Sequence, residues 1–470
     1  MACLPGDVDF RRLARITRIR PLISGTSPRL SSTILTGAVK VKRLYIKSLP
    51  GHLRPGGRRE APIPSTPFIY VLRTFPELSE TFILREMRAL MAAGVPVLVL
   101  AASCGRRPDL AREGSENPLP PVSYLAGGRR APVTAAGSSS GRRGAGRPAA
   151  LIKVLARDLL RLGGRPRPCA RALRLGLYAW RGVRLLPAGG GHLHAHFAND
   201  AAALARYLAA ATGLSYSLTA HAYDLYQDPF LLVPNLAAAR LVFTVSRANM
   251  KFIRGIPGGV SQARLRLLHC GLDLAQLPYR DPPPLTEGPA RIVCIARLVP
   301  KKGHQVLLAA VAHLQAEGRE LDLCLIGEGP EEGAIRTAVD RLGLGRQVRL
   351  AGAMGNKETL AVLSRADLCV LPARVAADGD RDGLPVVLME AAALGVPLAV
   401  SRVGGIPELV DEDCGWTSAV DDPRAFAAAM AAALDAQPGE RTARARRARA
   451  RVEAEFDVAG QVEALAGVGG

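Results

Sequence analysis

Two carboxylates, Asp382 and Glu390, stand eight positions apart in the run Asp382-Gly383-Leu384-Pro385-Val386-Val387-Leu388-Met389-Glu390. The residues between them predict a turn opening into an apolar helix. Gly383 lets backbone approach a ligand closely, and Pro385 suits a first helical turn, where no amide hydrogen is required. A helix that starts there aims its free amides and partial positive charge at the turn, which favours a diphosphate. Glu390, about one and a half turns further in at roughly 3.6 residues per turn, is placed to accept hydrogen bonds from sugar hydroxyls. Asp382 lies before the helix, nearer the phosphate end. Two acceptors around an anion-binding terminus suit a nucleotide with its ribose on one side and a second sugar on the other.

Two plainer readings compete for the same segment. Asp378, Asp380 and Asp382 followed by Gly383 imitate the opening of a calcium loop, with acids at positions one, three and five and glycine at six. Position twelve is Met389, however, and Glu390 falls one residue late, so the loop lacks its closing acid. The other reading is an acidic surface loop ahead of a buried helix.

The elements that must position these residues are legible as an alternation of short apolar strands and helices. Strands are predicted at 291–297, 321–326, 347–350, 367–371 and 397–401, with helices at 304–317, 331–343, 357–365 and 385–395. The same alternation runs earlier, through FIYVLR from Phe68, a helix capped by Ser79 and ending near Gly94, VPVLVLA, LHAHFA, SLTAHA and LVFTVS. Such alternation predicts an α/β protein with two doubly wound parallel sheets, Rossmann-like and covered on both faces. The boundary is placed near Pro282-Pro283-Pro284, giving a first domain over 65–285 and a second over 286–445, with a closing helix in 446–470. Ligands of such sheets bind at the carboxyl ends of the strands, so two facing sheets enclose a cleft. The Gly-, Arg-, Ser- and Pro-rich stretch 104–149 reads as a mobile insertion. Residues 150–185 read as one or two basic amphipathic helices, either an ordinary solvated face or a membrane-facing one.

Composition narrows the partners. Lys and Arg number 62 against 41 Asp and Glu, a formal charge of +21, and the excess is concentrated in the first 190 residues. That polarity suits an anionic partner. Aromatic residues make up only 4% and no zinc-finger or helix-turn-helix spacing occurs, which argues against nucleic acid; an anionic membrane surface is the preferred partner, and an Arg-, Ala-, Gly- and Pro-rich coding bias is the plainer reading of the same excess. The 8 cysteines are scattered without a CxxC pair, a reducing-compartment pattern. No run of about 18 apolar residues is present to span a bilayer. Residues 1–64 read as a basic, disordered lead, and a transit peptide or a misassigned start would have the same composition.

Further loops fall where ligands of a parallel sheet are expected. Arg297 ends the first strand of the second domain and Lys302 follows in RLVPKKG, two cations able to neutralise a diphosphate or to face solvent. Gly327-Glu328-Gly329-Pro330 is a Gly-rich turn without dinucleotide spacing, and Gly404-Gly405-Ile406-Pro407-Glu408 follows a later strand. His192, His194 and His196 alternate along one strand and share a face, as zinc ligands would; without a clustered Cys or carboxylate, packing is the plainer reading.

Taken together these motifs resemble the retaining glycosyltransferases with two facing Rossmann-like domains (GT-B), in the large family marked by two glutamates separated by seven residues. FPELSETFILREM, HAHFAND, TAHAYD and DGDRDGLPVVLMEA resemble in particular the bacterial branch of colanic acid and exopolysaccharide biosynthesis enzymes. The resemblance implies that Arg297 and Lys302 hold the donor diphosphate, that Glu390 binds the nucleotide ribose, and that Gly383, Leu384 and Pro385 present amides to the donor. Asp382 stands where that family usually has glutamate, toward the transferred sugar, and His221 matches a histidine near the reacting carbon. It further implies a hexosyltransferase-type reaction that retains configuration without a metal or other cofactor. The donor would be a nucleoside diphosphate sugar and the acceptor a glycan or lipid-linked molecule, met in the cytoplasm at the inner face of the membrane. A catalytically inert scaffold and a nucleotide-sugar epimerase of the same fold are the rival readings.

Overall fold

The computed structural model describes residues 66–77, 80–105, 119–126, 146–285 and 287–468. The basic lead, the cap expected at Ser79 and most of the 104–149 stretch lie outside the described residues.

The apolar runs form two parallel sheets. Among the described residues the first has seven strands in the order β3-β2-β1-β4-β5-β6-β7. They are β1 (Phe68–Phe75), β2 (Val97–Cys104), β3 (Val122–Tyr124), β4 (His192–His196), β5 (Tyr216–Ala220), β6 (Leu241–Thr244) and β7 (Leu265–Leu267). The second has six, in the order β10-β9-β8-β11-β12-β13, from β8 (Ala290–Ile295), β9 (Leu321–Ile326), β10 (Val348–Gly352), β11 (Leu368–Leu371), β12 (Leu398–Ser401) and β13 (Trp416–Ser418). In each sheet the chain works outward from one strand and then returns to its other side, so the order reverses between β1 and β4 and between β8 and β11. Those two switch points are where a doubly wound sheet leaves a crevice at its strand carboxyl ends.

Helices cover both faces. In the first domain these are α1 (Thr81–Ala92), α2 (Pro148–Arg161), α3 (Pro166–Gly182), α4 (Asp200–Thr212), α5 (Leu232–Ala238) and α6 (Arg247–Arg254). In the second they are α7 (His304–Ala316), α8 (Glu332–Arg341), α9 (Asn356–Leu363), α10 (Val386–Leu394), α11 (Pro423–Asp435) and α12 (Pro438–Glu455). Because strands of parallel sheets are buried on both sides, β1 is apolar along nearly its whole length, and Ile69 and Val71 pack into one cluster while Phe68, Tyr70 and Leu72 pack into another.

The last helix, α13 (Val458–Ala466), leaves the second domain and packs on α1, where Leu465 and Val468 join Tyr70, Ile83 and Met87. Its path crosses beside the chain that first links the domains. The Leu272 amide donates to the Phe456 carbonyl at 2.7 Å, and the Val458 amide donates to the Leu272 carbonyl at 3.0 Å.

Three expectations change. The 104–149 stretch contributes β3, which extends the first sheet through Val99↔Val122 pairing, because Val122 and Tyr124 supply a short apolar alternation inside a turn-rich segment. Strand β8 ends at Ile295, which puts Arg297 in the following loop. Pro385 is the residue before α10, with an extended ψ of 124°, so the helix opens at Val386.

Helix α10 is apolar all round, and Leu388 through Leu394 are buried, the pattern of a helix packed on every side. It stops at Gly395, whose φ of 87° lies in the left-handed region that glycine adopts without strain. A Cβ at that position would collide with the Arg280 carbonyl oxygen. We therefore expect Gly395→Ala to cost about 1–3 kcal/mol in urea unfolding; an unchanged midpoint would show that the helix end relaxes freely.

Candidate functional site

The second domain brings its charged loops together at the carboxyl ends of β8 and β11. Lys301 and Lys302 close a single 3₁₀ turn (Pro300–Lys302) after β8, and both are buried. The Lys302 ammonium donates to Asp382 Oδ2 at 2.7 Å, while Lys301 lies 3.0 Å from Asp380 Oδ1 and 3.6 Å from Asp382 Oδ1. Burial pushes the Asp382 carboxyl up, but Lys302 and Lys301 outweigh it and hold it below the usual carboxylate range. The acids that imitate a calcium loop are thus engaged by lysines, and Asp378 accepts from the Asp380 amide at 3.0 Å.

Glu390 lies on α10, inside the domain yet reached from the other one. Arg85, on α1, donates to Glu390 Oε1 at 2.9 Å and to the Gly271 carbonyl at 3.2 Å. Burial raises the Glu390 carboxyl above its ordinary value, with Arg85 opposing. Ahead of the helix, Leu384 is buried and the Gly383 carbonyl accepts from the Gly405 amide at 2.5 Å. A side chain at Gly405 would run into that carbonyl and into Ser246, so the 404–405 loop can lie on the 382–383 turn only as glycine. Pro385 has no N–H to offer a ligand, which corrects one of the amide donors expected above. The free amides of the opening turn belong instead to Val386 and Val387.

The first domain supplies the facing wall. His221 follows β5 and is buried, with the rings of Phe197 and Phe82 at 4.6 and 5.0 Å. Burial, then the neighbouring His196 ring, hold His221 well below the usual histidine range, so it is neutral at physiological pH. Its amide donates to Asp224 Oδ1 at 2.9 Å, and burial lifts the Asp224 carboxyl to about 7. Behind the ring runs a hydrogen-bonded chain. His221 Nε2 lies 3.1 Å from His196 Nδ1, His196 Nε2 lies 3.0 Å from Glu86 Oε1, and the Tyr70 hydroxyl donates to the same Glu86 oxygen at 2.6 Å. With Glu86 accepting from His196 Nε2–H, His196 Nδ1 accepts from His221 Nε2–H, and the His221 Nδ1 lone pair remains. Phe197 sits beside this chain at φ 74°, a strained backbone for an aromatic residue and a common accompaniment of functional sites.

His192, His194 and His196 do share one face, against Phe68 and Tyr70. Glu86 supplies the carboxylate that the sequence did not place with them, and donor atoms of Glu86, His194 and His196 lie within 4.8 Å of one another. Each ring nitrogen of His194 and His196 nonetheless has a protein partner: Ser217 and Thr219 for His194, His221 and Glu86 for His196. The arrangement is satisfied as a hydrogen-bond network.

The walls meet. Gly383 lies beside Ala222, Val245 and Asn249 of the first domain, and the Arg381 guanidinium covers the Tyr226 ring at 4.4 Å. Glu408, in the loop after β12, reaches across to the start of α6, accepting from the Arg247 amide at 2.7 Å and pairing with His269 Nε2 at 3.1 Å. Near Arg297, burial and then the adjacent Glu77 lift the Glu80 carboxyl to about 7.

His221, Lys302, Asp382, Gly383, Leu384 and Glu390 are therefore gathered around one interdomain cleft, with Arg297 in its β8 loop. Sequence reasoning gave no role to Arg85, Glu86 or Lys301. One signal was available for Glu86: it falls on the stripe formed by Ile83, Met87 and Leu90, where a charge is costly unless partnered.

Residues 277–451 match the family described as glycosyl transferases group 1. A putative colanic acid biosynthesis glycosyltransferase of Escherichia coli is 34% identical over 200 residues, 42% of this chain and 49% of the relative. The amylovoran biosynthesis glycosyltransferase AmsK of Erwinia amylovora is 38% identical over 172 residues, 36% of this chain and 42% of the relative. The matched region thus spans about half the length of these curated relatives or less. The crystal structure of Anabaena HepE in complex with UDP and glucose aligns with a TM-score of 0.61 at 16% identity, covering 86% of this chain and 99% of that one. Sucrose-phosphate synthase from Thermosynechococcus elongatus aligns at 0.59 with 20% identity, covering 85% and 98%. These likenesses show the fold, two facing parallel-sheet α/β domains of the GT-B type.

The Arg85–Glu390 pair is the most direct electrostatic tie through this cleft. Removing Arg85 alone leaves a buried carboxylate without its cation, and Arg85→Ala should cost about 2 kcal/mol in urea unfolding. Adding Glu390→Gln should recover part of that loss; strictly additive costs in the double-mutant cycle would show that the pair is not coupled.

Proposed function

We propose that this chain, whose residues 277–451 match glycosyl transferases group 1, is a retaining glycosyltransferase. It moves a sugar from a nucleoside diphosphate donor to a glycan or lipid-linked acceptor in the synthesis of a cell-surface or exported polysaccharide, working at the inner, anionic face of the membrane. The observation that carries the reading is the convergence of Lys302, Asp382 and Glu390 around the amino end of α10, opposite a neutral, buried His221. The similarity to colanic acid and amylovoran biosynthesis glycosyltransferases supports it.

Each residue then has a task. Glu390 binds the ribose hydroxyls through Oε2, since Arg85 engages Oε1. Lys302 and Arg297 receive the diphosphate beside the free amides of Val386 and Val387. As the diphosphate takes over Lys302, Asp382 is released toward the hydroxyls of the transferred sugar. The bond between the sugar's anomeric carbon and the phosphate oxygen breaks, the acceptor oxygen bonds to the same face, and the acceptor proton passes to the leaving phosphate. The protein's work is positioning and stabilising charge on the leaving group, which needs no metal. His221, held by His196 and Glu86, presents a fixed tautomer to the donor sugar.

Thermal-shift titration with UDP, GDP, ADP and their sugars in EDTA tests the donor site, because a ligand bound only by the folded state raises apparent stability. One nucleotide should stabilise the wild type without metal, Glu390→Ala should lose that shift, and Lys302→Ala should keep most of it while turnover falls about 100-fold. Binding without turnover on any acceptor would leave an inert scaffold; wild-type behaviour of both variants would remove the site assignment.

The chain behind His221 makes a separate claim. Glu86→Gln should lower kcat about tenfold while the donor KM stays within about twofold, because the altered tautomer matters during reaction more than in binding. Equal losses in kcat and donor affinity would reduce Glu86 to a packing residue.

A further inference from the structure

Helices α2 and α3 expose apolar residues that their own amphipathic pattern does not require. Leu160 is 81% exposed, Ile152 64% and Trp180 43%, with Leu173 and Leu177 also open. On α3, positions 173, 177 and 180 lie on one stripe, at the i, i+4, i+7 spacing of a helix face. Lys153, Arg157, Arg161, Arg174, Arg181 and Arg184 are exposed around them. The acid of these two helices, Asp158, is buried and bonded to Arg206, Tyr207 and, at 3.3 Å, Arg161, so of the exposed cations it offsets Arg161 and leaves Lys153, Arg157, Arg174, Arg181 and Arg184 uncompensated within the two helices.

The basic side of α2 continues into an open cavity of about 570 Å³. Arg157, Arg161, Arg206, Arg240 and Arg264 line it, together with Ser215 and Tyr216 at the start of β5. This is the amino-terminal edge of the sheet; His221 follows the opposite end of the same strand. The cavity is therefore separate from the interdomain cleft.

Isolated leucines on a surface are ordinary, but a contiguous stripe ringed by guanidinium groups is a different case. A protein partner that covered the leucines with apolar surface would strip water from the arginines beside them. A phospholipid surface accommodates both: acyl chains take Leu and the Trp ring, and phosphates take Arg. We propose that the α2–α3 face seats the protein on an acidic phospholipid bilayer. Leu160, Leu173, Leu177 and Trp180 reach the acyl boundary, and the arginine-lined cavity receives phosphate headgroups. The proposal gives the membrane association named above a specific surface, and it stands on residues apart from the donor site.

The test uses the full chain with vesicles of phosphatidylcholine alone or with about 30% phosphatidylglycerol, the charge that draws basic residues. Co-sedimentation is expected with the anionic vesicles only and is expected to weaken as salt is raised. Trp180 emission should shift to the blue on binding; the other tryptophan, Trp416, is buried under Arg444. Arg174→Glu/Arg181→Glu and Leu160→Asp/Leu177→Asp change exposed positions, and each pair should lower partition about fivefold or more. Their nucleotide thermal shift should match the wild type, which separates failure of this surface from failure of the donor site. Undiminished anionic binding by both variants would move the contact elsewhere, for example to the basic residues before 66, and overturn the proposal. Equal binding to neutral vesicles, or self-association with no vesicle binding, would overturn it as well.

Discussion

A carboxylate taken out of water must find a cation or hydrogen-bond donors, and in this molecule two cleft carboxylates find them in the opposite domain. Glu390 of the second domain is met by Arg85 of the first. Glu408 of the second caps a helix of the first and pairs with His269. Neither domain alone can satisfy these groups, so the contact between them is specified as well as favourable. A ligand that binds Glu390 enters an already occupied polar network, and its hydroxyls have to coexist with, or replace, a charged partner.

The same constraint shapes the site within each domain. Lys302 and Asp382 neutralise each other at 2.7 Å, and Lys301 shares the acids of the preceding loop. His221 stays neutral because burial disfavours its cation. The short side chain of Asp382 reaches the ammonium without an intervening group. These groups are set by local pairing and dehydration, and the backbone that holds them is set by glycine at loops that lie directly on one another.

Much of this was readable along the chain. Five strands of the second domain, β8 to β12, lay within two residues of their expected ends, because a buried strand and an apolar helix each have a characteristic period and length, while the three-residue β13 was not expected. Helix α10 was legible from Pro385 to Gly395 for the same reason, with the proline shifted to the cap. The pairings were not legible. Arg85 and Glu390 are separated by 305 positions, and no periodicity connects residues that meet only when two sheets face each other. Glu86 fell on the apolar stripe of its helix, and only the fold shows that its partner is His196. Strand β3 hid in a segment whose composition speaks for turns.

The chain passes between the domains twice, once near Leu272 and once near Phe456, and the two passages are hydrogen-bonded side by side. A single tether would leave the halves free to twist and slide. Two adjacent tethers tied to each other leave one inexpensive degree of freedom, rotation about the line on which they lie, while shear and swivel strain both at once. An opening by that rotation would return Arg85 and Glu408 to the same partners, so the two linked passages favour one alignment of the facing walls.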